Sequence, residues 1–179
     1  MEYKSQKQYR LQGFNYSSNG EYFVTICTHN RKDIFGKIKN GEIILNETGK
    51  IVKEIWNEIP SKFQYISLDV YQVMPNHFHG IVIIKEQKSH QHLINQMPTV
   101  FKSGIINNPM ELKLNSLGRI IRWFKGRVTS EARKINPGFK WQSRFHDRII
   151  RDEKEFYFIQ EYIINNPINW GVGILDKYF

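Results

Sequence analysis

Along the chain the spacing of apolar positions changes several times, and each change marks an element. Tyr22 to Thr28 (YFVTICT) is a β-branched and aromatic run behind a turn-like Ser-Ser-Asn-Gly, which predicts a buried strand. Ile34 to Ile38 and Ile43 to Leu45 bracket Lys39-Asn40-Gly41-Glu42, and Asn-Gly between short apolar runs signals a hairpin. Ile51, Val52, Ile55, Trp56 and Ile59 then recur at three- and four-residue spacing. That period predicts an amphipathic helix capped by Asn46 or Thr48 and ended by Pro60.

Tyr65 to Met74 and His77 to Ile84 read as two strands joined through Pro75-Asn76, a link short enough to make them antiparallel. Between Lys85 and Asn115 the period is lost and Gln, Asn, Ser and Pro accumulate, which predicts a mobile connection across 85–115. Ser116 then caps a second helix with Leu117, Ile120, Ile121, Phe124, Val128 and Ala132 along one stripe. Trp141 to Ile150 reads as a further strand. Asp152 with Glu155 opens a third helix, Glu153 to Asn166, stopped by Pro167. The order predicts an α+β domain over 1–179, with a ferredoxin-like antiparallel sheet and helices packed on one side.

Composition narrows the class. The 12 Phe, 9 Tyr and 4 Trp among 179 residues supply a hydrophobic core, and the single Cys27 excludes an intrachain disulfide and any cysteine-based metal site. The first twenty residues hold no long apolar stretch, so the reading is a cytoplasmic protein, near the nucleoid, without a membrane partner. Charge sharpens this. Of the net +9, the segment 119–151 carries +8, with Arg119, Arg122, Lys125, Arg127, Arg144, Arg148 and Arg151 among its ten cations. Trp123, Phe124, Phe139, Trp141 and Phe145 are interleaved with them, a combination suited to single-stranded nucleic acid, where phosphates meet cations and unpaired bases stack on aromatics. A polyanion-binding surface follows.

The sharpest chemical feature is His77-Phe78-His79 at the start of the most apolar strand. Alternation along a strand sends both imidazoles to one face and Phe78 to the other. They are either two ligands for a divalent cation, with positions left for water and substrate oxygens, or polar residues of a solvated face. His90-Gln91-His92 repeats the spacing in an aperiodic segment and reads as solvated loop. On the third helix Phe158, Tyr162 and Asn166 share a face. Tyr162 is a candidate nucleophile there and Asn166 a candidate third ligand. The alternative is ordinary packing at the core edge.

In order and spacing, FVTICTHNR, YQVMPNHFHGIVII, SLGRIIRWFKGRVT, WQSRFHDRIIRD and EYIINNPINWG resemble the REP-associated tyrosine transposases, from about Arg10 to Gly171. These are relatives of the insertion-sequence single-strand transposases within the HUH endonuclease superfamily. The resemblance implies a ferredoxin-like fold, a Mg²⁺ or Mn²⁺ ion, and cleavage of single-stranded DNA beside hairpins. It makes His77 and His79 the metal pair and Tyr162 the nucleophile, with a 5′-phosphotyrosine intermediate and no nucleotide cofactor. Insertion-sequence relatives often carry Gln where this chain has Asn166. Those relatives act as dimers while REP-associated members can act alone, so a homodimer stays open. The rival class is a non-catalytic, domesticated module that binds hairpins without cutting; a hydrolase of small phosphates would leave the basic segment unexplained.

Overall fold

A computed structural model describes residues 18–85 and 116–171. The expected connection and His90-Gln91-His92 lie outside these, apart from Lys85. Strand β1 (Gly20–Cys27) runs down the centre of a four-stranded antiparallel sheet, paired on one side with β5 (His77–Ile84) and on the other with β6 (His146–Ile150). Strand β4 (Ile66–Val73) flanks β5, giving the order β4-β5-β1-β6. Because β1 is covered on both faces, every residue from Tyr22 to Cys27 is buried, which is why no charged position interrupts it.

The helices divide between the two faces and do not gather on one side. Tyr22, Val24 and Ile26 of β1, with Phe78 and Val82 of β5, form one core with α1 (Glu47–Asn57) and α3 (Leu117–Ala132). Phe23, Ile81 and Ile150, at alternate positions of the same strands, form a second core with Ile159 and Ile163 of α4 (Glu153–Asn165). The reason lies in β6. Ile150 faces away from the first core, and the short link to Asp152 delivers α4 onto that opposite face.

Local signals set most boundaries. Asn46, not Thr48, caps α1, its side-chain oxygen accepting from Gly49 N at 3.0 Å. Pro60 does not simply end that helix: it sits in the first turn of a separate short helix, α2 (Ile59–Lys62). Strands β2 (Gly36–Lys39) and β3 (Glu42–Leu45) pair through Asn40-Gly41, with φ of 53° and 77°, the left-handed pair that a tight hairpin requires. The strand expected from Trp141 begins only at His146. Trp141 makes a single bridge to Thr28, and the carbonyls of Gln142, Ser143 and Arg144 turn to Lys125 Nζ at 2.7, 3.3 and 3.5 Å, away from any ladder.

Gly80 shows how tightly the first core backs onto β5. A Cβ there would lie 2.6 Å from Trp56 Cζ2 and 2.9 Å from Phe78 Cε1. Gly80→Ala must therefore push a fully buried indole aside. Its expected cost is about 1–3 kcal/mol by the usual penalty for overpacking, read as a lower midpoint in denaturant unfolding; unchanged stability would show that Trp56 has room to move.

Candidate active site

The site lies on the α4 face of the sheet, where two strands and a helix contribute side chains. His77 and His79 stand at alternate positions of β5, their ring centroids 4.5 Å apart. Tyr162 comes down from α4, and its hydroxyl lies 3.3 Å from His79 Nε2. Phe23 of β1 packs against both rings, stacked on His79 at 5.3 Å and edge-on to Tyr162 at 5.9 Å. The two histidines and the tyrosine singled out in the sequence are thus brought together within one chain.

The outer nitrogens of both imidazoles are fixed from behind. Asn76 Nδ2 donates to Asp33 Oδ1 at 3.0 Å, which turns its amide oxygen toward His77 Nδ1 at 2.8 Å. His77 Nδ1 must then carry the hydrogen and donate it, so that Nε2 is the nitrogen that can ligate a cation when the ring is neutral. His79 Nδ1 lies 2.8 Å from Thr25 Oγ1. The tautomer in which Nδ1–H donates to Thr25 matches that of His77 and leaves Nε2 to accept from the Tyr162 hydroxyl. Such outer-shell partners are what orient ligating histidines in metal sites.

Loop docking holds this arrangement in place. Asn76 O accepts from Thr28 N at 2.9 Å and from Thr28 Oγ1 at 2.9 Å, while Pro75 O accepts from Ile34 N and Phe35 N at 2.8 and 3.0 Å. The Pro75-Asn76 turn is therefore a fixed base for His77. The segment it docks on includes Asn30 and Arg31, both with positive φ, 56° and 48°. Burial is the largest cause holding the His79 imidazolium well below the ordinary histidine range, followed by the charges of His77 and Arg31. His79 is consequently neutral, the form that can donate a lone pair.

These donors suit a divalent cation: two imidazoles, pre-oriented and on adjacent same-face positions. Among the described residues no group of three or more His, Cys, Asp or Glu could hold a metal ion, so these residues offer no third ligand of those types beside the histidine pair. Asn166 is buried at the C-terminal cap of α4, one turn beyond Tyr162. Trp170, just past it, stacks on His77 at 5.8 Å.

The basic segment is not gathered around this site. Arg119 and Arg122 are exposed on α3, which packs against the other face of the sheet. Arg127 pairs with Glu131 at 3.4 Å and with Glu58 at 3.9 Å. Lys125 is taken up by the three carbonyls of 142–144, and burial pulls its ammonium below the usual lysine range. Arg148 bonds Glu155 at 2.6 Å, whereas Arg144 and Arg151 are exposed at either end of β6. Trp141 packs on Phe35, Phe124 and Phe139, so much of its ring belongs to the core.

Sequence reasoning passed over Thr25, Asn76, Asp33, Phe23 and Trp170. Asn76 adjoins the histidine pair and its position could have suggested a bonded neighbour; Thr25 meets His79 only through strand register, which no local pattern encodes.

No family model matches the chain. A curated protein of Haemophilus influenzae, described as uncharacterized, is 41% identical over 171 residues, covering 90% of this chain and 87% of that one. Among solved structures, a REP-associated tyrosine transposase bound to a REP hairpin superposes with a TM-score of 0.60 at 16% identity, over 93% of this chain and 75% of that one. The chain belongs to one family with the Haemophilus influenzae protein, and its fold is that of a REP-associated tyrosine transposase, the relationship its five motifs led one to expect.

Proposed function

We propose that this protein is a DNA strand transferase that cuts and rejoins single strands beside hairpins, with Tyr162 as nucleophile and His77 and His79 as ligands of Mg²⁺ or Mn²⁺. One observation carries the reading: the Tyr162 hydroxyl lies 3.3 Å from Nε2 of a buried imidazole whose other nitrogen is bonded to Thr25. A helical tyrosine that merely packed at the core edge would have no reason to end on a pre-oriented histidine pair. The fold shared with a transposase bound to a REP hairpin supports the same substrate class, and the excess of positive charge supports a nucleic-acid partner. No described helix is long and apolar enough to cross a membrane, which agrees with work at the nucleoid.

The chemistry is a transesterification. The Tyr162 oxygen bonds to phosphorus, the bond from phosphorus to the 3′-oxygen breaks, and the hydroxyl proton is balanced by the one gained on the released 3′-hydroxyl. One phosphodiester replaces another, so the 5′-phosphotyrosine can be reversed by a second 3′-hydroxyl without a nucleotide cofactor. His77 and His79, with Asn166 as candidate third ligand, would hold the cation, which would supply polarisation of a phosphate oxygen. The protein's own part is orientation. Phe23 and Ile163 fix the Tyr162 ring against the sheet, Thr25 and Asn76 aim the imidazoles, and burial keeps His79 uncharged.

Incubated with its own flanking hairpin DNA as a single strand and Mn²⁺, the wild-type chain is expected to form a covalent adduct that chelator abolishes and Tyr162→Phe cannot make. The same adduct from Tyr162→Phe would refute the assignment; tight binding without any adduct would favour the non-cutting module. Asn76→Ala frees His77 to rotate and change tautomer. Titration with Mn²⁺ followed by electron paramagnetic resonance is expected to show affinity about 10–100-fold weaker, the usual effect of losing such a partner. Hairpin affinity is expected to fall linearly in a plot of log Kd against log salt, checked by fluorescence anisotropy.

A further inference from the structure

Strand register places a third imidazole beside this site. Thr25 of β1 pairs with His79 of β5 on one side and with His146 of β6 on the other. Directly opposed residues of antiparallel neighbours project from the same face, so His79, Thr25 and His146 form one row across three strands on the face that α4 occupies. The row continues to Gln72 of β4, opposite His79. Burial agrees with this parity: Ile150, four residues along β6 from His146, packs in the α4 core, while Phe145 and Ile149 pack in the other. With two interstrand spacings between them, the backbones at His79 and His146 stand about 10 Å apart.

Helix α4 is anchored away from this end of β6. Its first turn is tied to the strand's far end, where Glu155 accepts from Arg148 Nε at 2.6 Å and from Arg151 N at 2.9 Å. The helix then crosses to β4, where Gln160 Nε2 donates to Asp69 Oδ1 at 2.6 Å, and one half-turn later Tyr162 reaches His79. The catalytic row is therefore roofed by Tyr162 over β5, with half-buried His146 at the opposite edge and Thr25 between. A strand whose phosphate meets Tyr162 can run across β1 toward β6 or turn back beneath the helix. The first path runs past His146, with exposed Arg144 two residues further on.

We infer that His146 is a backbone contact of the DNA strand held at this site, donating a ring N–H to the phosphodiester that flanks the one facing Tyr162. The inference rests on the strand-transferase reading for the presence of a strand there, but not on the cutting step. His146 is a contact to substrate, distinct from the pair His77 and His79.

The test uses the full chain with Tyr162→Phe as parent, so that binding is measured without cleavage. Two labelled DNAs are compared with Mn²⁺ present: a hairpin alone, and the same hairpin with a single-stranded extension long enough to cross the site. The extension is expected to tighten binding to the parent. Adding His146→Ala is expected to remove about tenfold of that gain, in line with a lost hydrogen bond to a charged group, while hairpin affinity stays as it was. His146→Gln, which retains an N–H donor, is expected to recover most of it, separating contact from misfolding. An extension that adds nothing to the parent, or a His146→Ala chain that keeps the full gain, overturns the proposal. Failure of the wild type to form an adduct would instead sink the cutting reaction and leave this comparison decisive on its own terms.

Discussion

An imidazole with almost no solvent contact must find hydrogen-bonding partners for both nitrogens, and His79 does so across strands and layers: Thr25 on one side, Tyr162 on the other. That pair of bonds is the constraint on which the rest turns. It demands that β1 and β5 keep their register, that α4 lie on this face of the sheet, and that the helix be rotated so that Tyr162 points inward. The cores on the two faces supply the rigidity. Neither alone would hold a phenol and an imidazole at hydrogen-bonding distance.

The division of helices between faces separates two tasks. Behind the sheet, α1 and α3 build the larger core around Trp56 and Phe124 and present Arg119 and Arg122 outward. In front, a single helix carries the candidate chemistry and little positive charge of its own. Several cations that look alike in the sequence are in fact engaged locally. Lys125 serves as a cap for carbonyls that leave the ladder, and Arg148 is tied to the start of α4. What reads as one basic segment is a set of structural cations interspersed with exposed ones.

Elements with strong local signals were legible: the Asn-Gly hairpin, the caps at Asn46, Ser116 and Asp152, and β5 to the residue. The histidine pair and Tyr162 were legible because strand alternation and helix spacing are local rules. Two features were not. The face chosen by α4 depends on which way Ile150 points, and this is settled only once β6 has paired with β1. The early end of the Trp141 strand depends on Lys125, whose ammonium meets carbonyls seventeen and more residues away in the chain. Thr25 and Asp33 escaped notice for the same reason, since each acts through a partner distant in sequence.

Gly80 follows His79, and the space a methyl group would need there is filled by the ring of Trp56. The floor of the site is thus the reverse side of a packed wall. It cannot sink to admit a larger ligand without dislodging Trp56 and, with it, α1. A change in what the site admits has accordingly to be made at the rim, in the loops and the outward half of α4, where no packed wall stands behind the side chains.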